Sequence, residues 1–326
     1  MLFKSKFRPA WWLRNPHLQT LWAARVQPSP TPDTRPERLT TPDGDFLDLN
    51  WTWTTNNEGP IVVIFHGLTG SVRSPYVRSL MHHLSHHNVR AVLMHFRGSS
   101  TEPNRTPGSY HSGHTKDIRY VINTVKERYP DISIAAAGYS LGGNALLKYL
   151  AESPANPLCY AVSVSPPLVL AEGAKRMQKG FSRIYQSTLL KHLKASLRAK
   201  HARYPEFELD KLGFEEANSF FEFDDQVTAP LHGFDGVDDY YQRASTLDDL
   251  INIKTTTHIL WSEDDPFFTK NSIPRAEQLS NDVTFELSTH GGHVAFLSGN
   301  IPFAAHNWLR ERVGGLLIKQ LCKADL

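Results

Sequence analysis

The sequence predicts an α/β fold: a mostly parallel central sheet flanked by helices, with a helical cap inserted between two of its strands. Three observations carry this. Six continuous apolar runs bounded by turn residues recur along the chain, as expected of strands buried on both faces. Segments of helical period separate them, as crossovers between parallel strands require. The alternation fails between Pro166 and Ser245, where the chain is rich in Lys, Phe and Leu, helical in period and without such a run.

In chain order, residues 1–42 read as an N-terminal arm. Pro28, Pro30, Pro32, Pro36 and Pro42 fix φ and remove backbone donors, so this stretch is expected to run extended over the surface, with residues 1–27 docking separately. After the Asp43-Gly44 turn pair, Leu47, Leu49, Trp51 and Trp53 alternate with Asp48, Asn50 and Thr52, the period of a half-buried strand. Asn56 to Pro60 then turn the chain into IVVIF, 61–65. The further runs are 89–96, 132–140, 158–165, 257–261 and 283–287. Ile118, Val121, Ile122 and Val125 share one helical face that ends before Pro130. Residues 302–321 read as a closing helix despite Gly314-Gly315. Residues 43–165 and 246–326 are thus the expected core, and 166–245 the expected helical cap.

Composition narrows the functional class. Over 326 residues, 35 Lys and Arg against 33 Asp and Glu leave a net charge of +2, too balanced for an electrostatic nucleic-acid binder. Two cysteines, Cys159 and Cys322, can build neither a disulfide framework nor a four-cysteine zinc site. The first residues lack the apolar core of a secretory signal and no run approaches a spanning helix, so the cytoplasm is the expected location. The arm carries Trp11, Trp12, Leu13, Leu18, Leu21 and Trp22 beside Lys4, Lys6, Arg8 and Arg14. Docking on the protein's own surface is the plain expectation, and weak peripheral membrane contact is the alternative.

Gly138-Tyr139-Ser140-Leu141-Gly142 follows an apolar run and precedes the helix-forming stretch 144–151. A serine on a sharp strand-to-helix turn needs glycines on either side, because side chains there would collide with strand and helix, and the turn exposes its Oγ. Ser140 is therefore the candidate nucleophile. A serine needs a base and an orienting acid. Asp265, with Asp264 as runner-up, sits just past the run 257–261, and His293, with His290 as alternative, follows the run 283–287 on a glycine-bearing loop. The candidate oxyanion donors are the backbone N–H of Leu141, at a helix N-terminus, and that of Leu68, in the His66-Gly67 turn after the first central run. His66 itself reads as a structural residue of that turn.

The motifs HGLTG, FRGSS, GYSLGG, SEDDPFF and GGHVAFL together resemble the α/β-hydrolase superfamily, and NPHLQTLWA with TAPLHGFDGVDDYYQRAS is similar to one subgroup of it. The resemblance covers most of the chain. It implies the α/β-hydrolase fold and an esterase-like or lipase-like hydrolase of carboxylic esters, with Ser140, Asp265 and His293 at the family's triad positions. The expected partner is a small-molecule ester, acyl- or lipid-like, with no metal or organic cofactor. Two other readings stay open: acyl transfer to another acceptor by the same triad, and a catalytically idle small-molecule-binding module.

Other signals read as structural. Gly108 to Thr115 comes within one residue of a phosphate-binding loop, but His114 replaces its lysine and no buried strand precedes it. The His82/His86 and His83/His87 pairs read as an exposed polar helix face rather than a metal site. Cys159 reads as core. Lys191, Lys194, Arg198, Lys200 and Arg203 read as a solvated face, or as a means of steering an anionic substrate.

Overall fold

A computed structural model describes residues 1–52 and 58–322; Trp53, Asn56 and Asn57 of the expected strand and turn lie outside the described residues. In chain order the elements are β1 (Leu2–Lys4), α1 (Pro16–Arg25), β2 (Thr34–Thr40), β3 (Phe46–Thr52), β4 (Ile61–Phe65), α2 (Pro75–Ser85), β5 (Arg90–Met94), α3 (Lys116–Arg128), β6 (Ile134–Tyr139), α4 (Leu141–Glu152) and β7 (Tyr160–Val164). Then come α5 (Leu170–Met177), α6 (Ser182–Arg203), α7 (Phe220–Phe223), α8 (Ala229–His232) and α9 (Val237–Ala244). The chain ends with β8 (Thr257–Ser262), β9 (Val283–Ser288), the short pair β10 (Leu297–Ser298) and β11 (His306–Asn307), and α10 (Trp308–Leu321).

Nine strands form one sheet in the order β1-β9-β8-β7-β6-β4-β5-β3-β2. From β1 to β5 every pairing is parallel, and β3 and β2 add antiparallel at one edge. All residues of β4 to β8 are buried, because helices cover both faces. Ile118, Val121, Ile122 and Val125 of α3 pack with α4 on one face. Val77, Leu80, Met81 and Leu84 of α2 pack with Leu309, Val313 and Leu317 of α10 on the other. Gly314 belongs inside α10: a Cβ there would lie 2.2 Å from His83 Cδ2, so the glycine lets α2 and α10 approach. His83 thus faces α10 rather than presenting a wholly open polar surface.

The expected arm is more closely built in than its sequence suggests. Leu2–Lys4 pair with Phe285–Leu287 at one edge of the sheet, and Thr34–Thr40 pair with Phe46–Thr52 at the other. Asn15 caps α1, its side chain accepting the His17 and Leu18 N–H groups. Trp12 packs against Trp22 and Phe303, while Trp11 stays 59% exposed. Between β7 and β8 the described chain contains only helices and turns. Two other readings need correction. Cys159 is exposed, just ahead of β7. Lys200 is buried, its Nζ donating to the carbonyls of Thr106, Pro107 and Gly108. Among the described residues no helix is long and apolar enough to cross a membrane.

Candidate active site

Sheet order reverses at β4, which lies between β5 and β6, so crossovers on either side diverge and leave a crevice at the carboxyl ends of the strands. Ser140 stands there, between β6 and α4, at φ 50° and ψ −121°. A non-glycine residue holds that conformation only when its surroundings over-determine it. The surroundings are tight: a Cβ on Gly138 would sit 2.5 Å from Gly142 O, and one on Gly142 2.3 Å from His66 O. The Ser140 N–H donates to Val164 O at 2.8 Å, tying the turn to β7.

The structure brings Ser140, His293 and Asp265 together. His293 Nδ1 lies 2.8 Å from Asp265 Oδ2, and His293 Nε2 lies 2.9 Å from Ser140 Oγ. A carboxylate can only accept, so Nδ1 carries the proton and Nε2 presents its lone pair to the serine hydroxyl. Asp265 is buried, and its other oxygen accepts the Phe267 N–H at 2.8 Å. The Phe267 ring stacks on the imidazole at 3.9 Å with 7° between planes.

Asp264 turns the other way. Its oxygens accept the Gly292 N–H at 3.0 Å and face His290 Nδ1 at 3.2 Å, and burial pushes its carboxyl above the ordinary value. Asp264 and His290 therefore brace the loop that carries His293. Thr20 of α1 adds a second brace, its Oγ1 accepting the His293 N–H at 2.9 Å.

The loop after β4 is held by two phenols. Tyr76 OH accepts the Gly67 N–H at 2.8 Å, and Tyr110 OH accepts the Thr69 N–H at 2.9 Å. Burial pushes both phenols up, Tyr76 to about 12, so they remain protonated. Between them the Leu68 N–H, like that of Leu141 at the start of α4, finds no acceptor among the described residues. His66 is buried beneath this loop; its Nε2 accepts the Phe96 N–H at 3.2 Å and burial pushes its pKa down to about 3. Thr20 and Phe267 lie within the motifs NPHLQTLWA and SEDDPFF, but the roles of Thr20, Tyr76, Tyr110 and Phe267 were not legible in the sequence, because each acts across a tertiary contact from a residue type that is common elsewhere.

Two cavities meet at Ser140. The larger, about 620 Å³, lies between the strand ends and α5, α6, α8 and α9. The smaller, about 370 Å³, runs between α1 and the start of α6 and reaches His293. In the wall of the larger one, Asp224 accepts from Thr228 Oγ1 and Tyr241 OH, and burial pushes its carboxyl up to about 6.

Residues 60–300 match the family model described as the alpha/beta hydrolase fold. The chain belongs to the α/β-hydrolase family. This α/β hydrolase is 39% identical over 315 residues to YheT of Escherichia coli (strain K12), with 95% of this chain and 92% of that one covered. It is 28% identical to phospholipase ABHD3 of Homo sapiens, covering 91% and 75% of the two chains, and 30% identical to monoacylglycerol lipase of Saccharomyces cerevisiae, covering 78% and 56%. The solved esterase Pf2001 of Pyrococcus furiosus superposes with a TM-score of 0.58 at 17% identity, over 92% of this hydrolase and 95% of that chain, and shares its fold.

Proposed function

We propose that this α/β hydrolase cleaves a carboxylic ester through an acyl-enzyme intermediate. The observation that carries the reading is His293, which spans from Asp265 to Ser140 with hydrogen-bonding distances of 2.8 and 2.9 Å. Ser140 Oγ attacks the ester carbonyl as His293 Nε2 takes its proton, and the Leu68 and Leu141 N–H groups receive the oxyanion. The tetrahedral intermediate collapses, His293 returns the proton to the leaving alcohol, and water repeats the sequence on the acyl-serine. Asp265 holds the imidazolium and its tautomer throughout. The names of the curated relatives, among them a phospholipase and a monoacylglycerol lipase, favour an acyl ester as substrate.

Two cavities converging on one serine suit a substrate with two arms. We assign the acyl chain to the larger cavity under the helical cap and the alcohol to the smaller. Fluorophosphonate labelling, with hydrolysis of p-nitrophenyl esters graded from acetyl to long acyl, tests the reading. Wild type is expected to label and turn over, and Ser140→Ala and His293→Ala to do neither. A folded wild type that neither labels nor hydrolyses any ester would overturn it.

A further inference from the structure

Away from Ser140, three imidazoles face one another where the helical segment meets the sheet. His111 and His114 lie in the loop between β5 and α3, and His232 ends α8. One ring nitrogen from each lies within 4.8 Å of those of the other two. The rings of His111 and His232 are 4.7 Å apart and those of His111 and His114 5.3 Å. The Gly113 N–H donates to His111 Nδ1 at 3.2 Å. His114 Nε2 is buried against Asp117 Oδ2 at 3.2 Å, which leaves Nδ1 as the nitrogen of that ring free to take a ligand.

We propose that His111, His114 and His232 bind a divalent transition-metal cation of the Zn²⁺ or Co²⁺ class, tying α8 to the loop ahead of α3. An all-imidazole donor set selects such ions over Mg²⁺ or Ca²⁺, which take oxygen ligands. Nitrogens around tetrahedral zinc stand about 3.3 Å apart, so the rings close by modest rotations on a loop and a helix end. A carboxylate behind a ligating imidazole fixes its tautomer, and Asp117 stands in that place behind His114. The fixed charges permit a cation. Asp43, Asp45 and Asp117 surround Arg97, and with Lys200 these are three carboxylates against two cations, while Arg243 is paired with Asp239. His111 and His232 line the larger cavity, so the site borders the space that leads to Ser140. The site stands independently of the ester-cleaving reading.

The test is titration of chelator-treated full-length protein with Co²⁺, read by visible d–d absorption, with metal per chain counted after Zn²⁺ loading. About one ion per chain is expected, with the intense absorption of a four-coordinate site. His232→Ala and His114→Gln are expected to weaken binding by about 100-fold or more, and His86→Ala/His87→Ala to leave it unchanged. In Co²⁺-loaded wild type, paramagnetically shifted imidazole resonances count three histidines without recourse to any variant. No Co²⁺ absorption beyond that of the free ion overturns the proposal. So does binding that survives in His232→Ala and His114→Gln, or that His86→Ala/His87→Ala abolishes.

Discussion

Thr20 Oγ1 accepts the His293 N–H at 2.9 Å while donating to Pro16 O at 2.8 Å, so helix α1 fixes the loop that carries the imidazole. In the proposed mechanism Thr20 is a positioning residue, in contact with the His293 backbone and with no reacting atom. Thr20→Val keeps the shape and removes the acceptor, and is expected to lower kcat about 10-fold with KM little changed. Steady-state kinetics on one p-nitrophenyl ester check this. An equal rise in KM would show that Thr20 shapes the smaller cavity instead.

The two neighbouring acids are expected to separate by role. Asp265→Asn leaves His293 in the wrong tautomer and is expected to cost about 10⁴ in kcat. Asp264→Asn only loosens the loop through Gly292 and His290, at a cost of about 10-fold. The reverse order would make Asp264 the acid.

Tyr76 and Tyr110 hold the peptide groups on either side of the Leu68 N–H. Tyr76→Phe and Tyr110→Phe are each expected to lower kcat about 10-fold, with fluorophosphonate labelling slowed in parallel, because the donor is aimed less well. Unchanged labelling rates in both would remove Leu68 from the oxyanion site.

Asp224 gives a pH signature in stability. Its folded pKa, pushed up to about 6, lies above the ordinary carboxylate value of 3.8, so the folded state holds the proton longer than the unfolded one. Stability from this group is full below pH 3.8 and falls as the pH rises through 3.8 to about 6. Asp224→Asn is expected to gain on wild type across that window, by on the order of 3 kcal/mol, and to hold the gain above it. Denaturant melts at pH 4 and pH 7 measure the difference; an equal difference at both would exclude Asp224 as its source.

Gly142 is a steric prediction. Its added Cβ would meet His66 O at 2.3 Å and Phe65 O at 2.6 Å, both main-chain atoms that cannot swing away. Gly142→Ala is expected to destabilise the fold by about 3 kcal/mol or more and to displace Ser140. Chemical denaturation together with probe labelling reads both effects.

The central strands were legible because helices bury them on both faces, which leaves long apolar runs such as Ile61–Phe65. Ser140, Asp265 and His293 could be placed because each follows such a run, where the chain turns at the carboxyl end of the sheet. The edge strands could not. Leu2–Lys4 is three residues long, too short to show a period, and Thr34–Thr40 carries Pro36 and three charged residues that argue against a strand until β3 is seen beside it. Lys200 looked like one more surface lysine because nothing in its own segment announces the three carbonyls of 106–108 that receive it.

Strands β1 and β2, both from the first 40 residues, cover opposite ends of the sheet. An interior strand exposed at a sheet edge offers unpaired N–H and C=O groups to any other extended chain. Without its first 40 residues the protein would present β9 at one end and β3 at the other, two open ladders on one molecule. Such a fragment could polymerise from both ends. In the full chain the three-residue β1 and the charged, Pro36-bearing β2 take those edges instead, and a short strand, charges and a proline are each features that disfavour edge-to-edge pairing.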